Sequence, residues 1–393
     1  MKSVYAVSSQ ILLSGSNYLI FLLFFRFLPT EEFIGFSTAV ALNMIANAIA
    51  EGGISYVAPR ELALNAETRK SIASSFILMS LVLYLGSLWA GYHIWNLVSD
   101  DPLNRQWVLA YALFFCPALL MPPWLTCWSM GLKDVIAIGI VRTMALVFVL
   151  LHPGTLFTAL SGFVFLLFTI GILIRLNKKV SVLGVPNVSA LKQAMKKLFE
   201  VFLSKTSSYA VYSTTPMVVS AVFGSYTASL YIAGERIKSM YATLFYPVIQ
   251  SIYLSRFQSK EQSSRNKRSI GIVGAMNLLA TVLLLLIIHW GILNHFTDRF
   301  SNIQNLWVYV LAAFLSVNTS ILLFFKVLPA GNYQLFRKST YFQLSIFILL
   351  FLIMGWKQII QPEYVLLLGE FAIFAAIVFL IMHQKRKGIV YAA

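Results

Sequence analysis

Long apolar runs separated by short polar or basic segments recur along the whole chain. Each run approaches or exceeds the ~20 residues that a helix needs to cross a hydrocarbon core of ~30 Å. They predict twelve membrane spans, at about residues 4–28, 34–57, 72–97, 107–130, 135–151, 155–176, 200–223, 226–254, 270–290, 306–325, 339–356 and 364–382. The runs are continuous rather than alternating over ~10 residues, which argues against a transmembrane β-barrel. The first is preceded by a single basic residue, Lys2, and continues to Leu28. That is longer than the core of a signal peptide, so it reads as an uncleaved span. The fifth is short and is interrupted by Arg142.

Composition agrees with this pattern. Of the 393 residues 59% are hydrophobic and 11% charged, and the mean hydropathy is +0.78, which no soluble domain of this length shows. The formal charge of +16 gains its meaning from where the charges sit. With the N-terminus cytoplasmic, 22 of the 30 lysines and arginines fall in inside segments and span edges, and 4 fall outside. The remaining 4, Arg142, Lys205, Arg236 and Lys238, lie within spans. Such a bias orients a multi-pass protein with both termini in the cytoplasm and turns its basic segments toward anionic lipid headgroups. No soluble basic face remains for nucleic acid, which is excluded as a partner. Cys116 and Cys127 share one predicted helix, roughly 16 Å apart, too far for a disulfide.

The two halves of the chain repeat one order of features: span, short outside loop, long span, basic cytoplasmic turn. The order occurs at 4–70 and again at 200–268, and a shift of 196 residues lays Phe27 on Phe223 and Arg60 on Arg256. The expected organisation is a six-helix half at 1–176, a basic cytoplasmic linker at 177–199 and a second six-helix half at 200–393. Parallel six-plus-six repeats are a transporter architecture, with the substrate site between the halves. The fold class is therefore all-α, about twelve transmembrane helices in a cavity-bearing, transporter-like bundle.

The charges at membrane depth are the candidate chemistry. Arg142, Arg236, Lys238 and Lys205 could line a cavity that holds an anionic headgroup, since a desolvated anion needs cationic and hydrogen-bonding partners. The competing reading is ion pairing, or, for Lys205 near the cytoplasmic edge, snorkelling to the interface. Glu51, Glu235 and Glu370 are the carboxylates within spans. They suit either ion coupling or charge pairing. Glu235 lies three residues before Lys238 on one helix, where it is placed to neutralise it. Glu51 precedes Gly52–Gly53, where a helix can loosen and offer carbonyls to a site. Pro117, Pro122, Pro123, Pro216 and Pro247 can kink their helices. Tyr209, Tyr212, Tyr231 and Tyr241 can stack on sugars or simply pack.

Enzyme chemistry finds little support. No Walker A, HExxH, CxxC or GxGxxG element occurs, and the five histidines form no ligand spacing, so neither a cofactor nor a metal is expected. The outside pair Asp100–Asp101 could serve a membrane glycosyltransferase or polymerase, but the outside loops are too short to shape such a site.

Particular stretches resemble a known family. GSNYL at 15–19, FIGFS at 33–37 and AEGGISYVAPRELA at 50–63 are similar to the first two spans of O-antigen flippases. These form part of the polysaccharide transporter branch of the multidrug/oligosaccharidyl-lipid/polysaccharide (MOP) exporter superfamily. YIAGERIKSMYATLFYPVIQSIYLSR at 231–256 resembles their eighth span, and AGNYQLFRK at 330–338 the turn after the tenth. The chain departs from them at Leu254–Ser255, where members often carry a proline before the arginine matching Arg256. The resemblance implies two six-helix bundles around a cavity in a bacterial inner membrane. It implies flipping of an undecaprenyl-diphosphate-linked oligosaccharide to the periplasmic leaflet, coupled to an ion gradient or to downstream polysaccharide assembly proteins. The rival within the same architecture is a cation-coupled exporter of small organic compounds. Four basic residues against three acids within spans tilt slightly away from cationic cargo.

Overall fold

The computed structural model describes residues 18–64, 69–98, 104–122, 131–180, 183–186, 218–255, 263–295, 305–327, 333–357 and 361–386, with a few isolated positions elsewhere. Among the described residues there is no strand. Seven helices there are long and apolar enough to cross a membrane. The chain is an all-α, multi-pass integral membrane protein. It divides into two compact units, Met1–Phe202 and Leu203–Ala393.

The first unit contains α1 (Tyr18–Phe27), α2 (Thr30–Glu51), α3 (Ile54–Leu64), α4 (Arg69–Val98), α5 (Arg105–Leu120), α6 (Leu132–Leu151) and α7 (Thr155–Val180). α2 packs on α4 and α5, and α7 packs on α5 and α6. In lipid the hydrophobic effect does not drive helices together, so shape and buried polar bonds carry the association. Both are present. Phe24, Phe36, Trp107 and Tyr111 meet edge to face, with ring centroids 4.8–5.7 Å apart. The buried Asn43 of α2 donates to Ala39 O (2.8 Å) and Val108 O (3.4 Å), and accepts from the Tyr84 hydroxyl of α4 (2.6 Å). One amide thus ties three helices.

The expected second span is two helices rather than one. α2 stops at Glu51 because Gly52 and Gly53 adopt φ of 46° and 83°, a left-handed backbone that side chains rarely follow. Space forbids side chains there as well: a Cβ on Gly53 would lie 2.5 Å from Val201. The fourth helix also ends earlier than its apolar run. α5 stops at Leu120, and Met121, which precedes Pro122, leaves the helical region (φ −122°, ψ 64°) as a residue before proline is pressed to do. α6 begins three residues earlier than expected, where Asp134 in its first turn accepts from Gly131 N–H (3.0 Å) and pairs with Arg175 of α7. α7 itself runs to Val180, into the expected linker.

The second unit contains α8 (Ser225–Ser255), α9 (Ser263–His289), α10 (Leu306–Leu322, continued by a π turn at Leu323–Val327), α11 (Tyr333–Lys357) and α12 (Pro362–Arg386). The seventh span is represented by its helical end at 218–223, closed by Gly224 at φ 87°. With α2 and α3 counted as one span, all twelve expected spans have helix among the described residues. α8 packs on α10, α10 on α12, and α12 on α11. α8 continues through Pro247 without a break. The Tyr241 hydroxyl joins it to α9, at 2.6–2.8 Å from Asn277 O, Asn277 Oδ1 and Thr281 Oγ1.

Helices α5 and α7 come close at Gly162 of α7, where a Cβ would stand 2.6 Å from Phe114 N and 2.8 Å from Leu113 C. Backbone atoms cannot swing aside as side chains can. Gly162→Val is therefore expected to destabilise the protein by about 1–3 kcal/mol or more. Gly171→Ala on the same helix meets nothing within 4 Å and is expected to be neutral or stabilising by up to ~1 kcal/mol. Dye-monitored thermal unfolding of the two purified variants in detergent separates them.

Candidate functional site

Helix α8 carries the densest set of deep charges. Its eight residues from Tyr231 to Lys238 are all buried, more than two turns, so the helix is enclosed on every side there. Glu235 and Lys238 lie ~15 and ~20 Å along it from Ser225. Tyr231, Glu235 and Lys238 share one face, at i, i+4 and i+7, whereas Arg236 is turned away by roughly 100°.

Lys238 does not take Glu235 as its partner. Its Nζ lies 2.5 Å from Glu370 Oε1, ~12 Å into α12, and both side chains are buried. The helical neighbour expected from sequence loses because an interior ammonium needs a directly aimed carboxylate, and α12 brings one across the bundle. Glu235 shares its face of α8 with Tyr231. It lies within electrostatic reach of Tyr231 on its own helix and Tyr309 on α10, and Glu363 at the start of α12 reaches the same two phenols. The rings of Tyr231 and Tyr309 are 6.0 Å apart. Gly234 makes room for this approach, since a Cβ there would lie 2.4 Å from the Tyr309 ring. Glu363 is fixed by Asn305, whose Nδ2 donates to Glu363 Oε1 and Gln361 Oε1, both at 2.9 Å.

Arg142 in the first unit is 2% exposed. Its Cζ stands 3.7 Å from the Phe114 ring centroid and 4.3 Å from that of Phe165, and Nη1 donates to Phe114 O at 3.3 Å. The guanidinium of α6 thereby joins α5 and α7 through cation–π contact, a partner that ion-pair reasoning had not supplied. Arg236 is buried, and Glu51 is partly buried at the end of α2. Lys205 lies outside the described residues, as do Tyr209 and Tyr212. Tyr241 is a packing residue bonded to α9, and Tyr231 belongs to the carboxylate cluster.

Three buried acids were missed. Glu61 of α3 reads from sequence as part of a cytoplasmic turn, and Asp134 as a loop residue. Glu363 follows Pro362 at an expected loop edge, although proline at a first helical position is itself a sign that the helix begins there. No group of three or more metal-ligating side chains occurs among the described residues.

The Lys238–Glu370 pair makes a direct prediction. Removing one partner strands a buried charge, so Lys238→Met or Glu370→Leu alone is expected to cost about 3–5 kcal/mol, while the double variant regains most of it. Unfolding midpoints of the three purified variants against the parent test this.

No known protein-family description matches the sequence, and no curated relative does. Solved structures do share the fold. A MATE transporter of Vibrio cholerae in its bent form superposes with a TM-score of 0.65 at 14% identity, over 99% of this chain and 97% of that one. An outward-facing multidrug resistance MATE transporter of the MOP superfamily gives 0.64 at 14% identity, over 98% and 94%. A MOP superfamily transporter from Pyrococcus furiosus, whose reversed binding-pocket polarity has been taken to suggest a different function, gives 0.59 at 14% identity, over 98% and 91%. The fold of this chain is thus that of the MATE transporters of the MOP superfamily.

Proposed function

We propose that the protein is a flippase of a bacterial inner membrane. It moves an undecaprenyl-diphosphate-linked oligosaccharide, such as an O-antigen repeat unit, from the cytoplasmic to the periplasmic leaflet by alternating access. The carrying observation is that deep, buried cations occur in both units of this transporter fold: Arg142 in one, Arg236 and Lys238 in the other. An anionic diphosphate and a polar glycan need such partners to leave water, while the polyprenyl tail stays in lipid. Lys205 is proposed as the cytoplasmic-edge contribution to the same path. The sequence resemblance to O-antigen flippases supports the cargo. The fold supports the transport mode, since MATE relatives have been solved in outward-facing and inward-facing conformations. No catalytic step is assigned. The glycolipid would pass on to polysaccharide assembly proteins.

One observation favours a second reading, a cation-coupled exporter of small organic compounds. Among the described residues of the second unit, the buried acids Glu235, Glu363 and Glu370 outnumber the buried bases Arg236 and Lys238. A pocket of that polarity would suit cationic cargo.

The two readings part in a strain lacking the gene. The flippase reading expects complete lipid-linked repeat units to accumulate on the cytoplasmic face, inaccessible to a periplasmic sugar probe, and to be released when the gene is restored. Complete units that reach the periplasm normally, together with raised sensitivity to cationic dyes, would replace it with the exporter. Units that reach the periplasm and stay unpolymerised would point to a polymerase.

A further inference from the structure

Beyond its charged segment, helix α8 carries a second kind of polar surface. Ser239, Thr243, Tyr246 and Gln250 stand at i, i+4, i+7 and i+11, within an arc of roughly 60°. All four are half-buried, and none is charged. The stripe is bounded at both ends. On one side Glu235 and Arg236 are closed in, at 6% and 4% exposure. On the other Tyr253 is buried, its ring edge-on to Phe324 of the π turn with centroids 5.2 Å apart. The open window from Ser239 to Gln250 spans ~16 Å.

A half-open side chain within a span faces either lipid or water. The second unit shows what a lipid-facing surface looks like. On α9 every exposed residue from Gly271 to Leu286 is apolar, Ile272, Met276, Leu279 and Leu283 among them. The corresponding side of α8 is at Leu244, 45% exposed and flanked by Met240 and Val248. It is turned roughly 130° from the middle of the polar stripe. Hydroxyl and amide groups aimed into hydrocarbon would lose the hydrogen bonds that water gives them. At 31 residues α8 has ample length to cross a membrane, and only its polarity keeps it out of the seven most apolar spans. The stripe is a wet face.

Its chemistry selects a ligand. Hydroxyl, phenol and carboxamide groups both donate and accept, as sugar hydroxyls do. The Tyr246 oxygen accepts from Ser320 Oγ of α10 at 3.0 Å, which fixes the ring and leaves its own O–H to donate. The ring itself offers a flat apolar surface of the kind on which a sugar can lie. A cation would need carboxylates and a phosphate would need cations, and the stripe has neither. We propose that this stripe seats the neutral sugars of the cargo, with Tyr246 and Gln250 as specificity-determining contacts. The assignment rests on the flippase reading and divides the work of binding within it. The deep cations take the anionic diphosphate, and the uncharged stripe takes the glycan.

The test is cysteine labelling of the full chain in native nanodiscs, which are open on both faces. Cys116→Ala and Cys127→Ala provide the background, and Thr243→Cys, Gln250→Cys and Leu244→Cys are added singly. Nanodiscs are drawn from cells that make undecaprenyl-diphosphate-linked repeat units and from cells blocked in their synthesis. Because a thiol must ionise in water to react, a charged maleimide is expected to label positions 243 and 250 about tenfold faster than 244. In nanodiscs that carry the lipid-linked units, labelling at 243 and 250 is expected to slow, with 244 unchanged. Labelling at 243 and 250 no faster than at 244 overturns the wet face and the proposal with it. Fast labelling that the lipid-linked units leave unchanged overturns the glycan seat, as does slowing by tetraphenylphosphonium alone, which would make the ligand an organic cation. Should either polar-position variant fail to reach the membrane, Ser239→Cys decides in its place. Protection reports binding and not movement, so normal export from a strain lacking the gene would sink the flippase reading while leaving the labelling result to stand or fall separately.

Discussion

The second unit depends on one constraint: α8 carries three charges where neither lipid nor water can neutralise them. A charged side chain at the centre of a bilayer costs about 2.5–3.5 kcal/mol on insertion scales, more if it is left alone. The Lys238–Glu370 contact offsets that cost for two residues, and in doing so it fixes the register of α8 against α12. α10, which packs on both, then places Tyr309 beside Tyr231, and Gly234 sets how near the ring can come. Asn305 and Pro362 start α10 and α12 at the same end of the unit, which is why Asn305 reaches Glu363. The first unit meets the same constraint differently. It lays a guanidinium against two phenyl rings and a carbonyl, so one arginine serves as packing and as a polar joint among three helices.

Much of this architecture was legible in the sequence, because a membrane span is a local property. A run of ~20 apolar residues announces itself without reference to any partner. The burial of Arg142, Glu235, Arg236 and Lys238 followed from their depth within such runs. The loosening at Gly52–Gly53 was legible too, although the full break needed the left-handed backbone and the walls supplied by Val201 and Phe202. Partners were not legible. Helical spacing shows who is near on one helix, so Glu235 looked like the mate of Lys238. The choice of Glu370 is a property of how two helices pack, and no periodicity carries it. Glu363 and Asp134 were passed over for a related reason: each opens a helix, and a residue beside a turn reads as exposed until the neighbouring helix covers it. Lys205 falls outside the described residues.

The geometry also constrains how a diphosphate could meet Arg142. Guanidinium groups bind phosphate in their own plane, through paired N–H donors, whereas aromatic rings cover their faces. One edge, at Nη1, already serves Phe114 O, and the residue as a whole is closed to solvent. On the flippase reading, Arg142 can bind cargo only in a conformation in which α6 draws away from α5 or α7. That conformation would exchange two cation–π contacts for a charge-assisted bond to phosphate, so cargo and helix packing would compete for the same cation. On that reading a headgroup that won this competition would hold α6 away from its neighbours, and its departure would let the rings close over the arginine again. A cation reserved by weak partners inside the protein, rather than displayed in a permanent pocket, is what a carrier needs if its cargo must be bound at one leaflet and surrendered at the other.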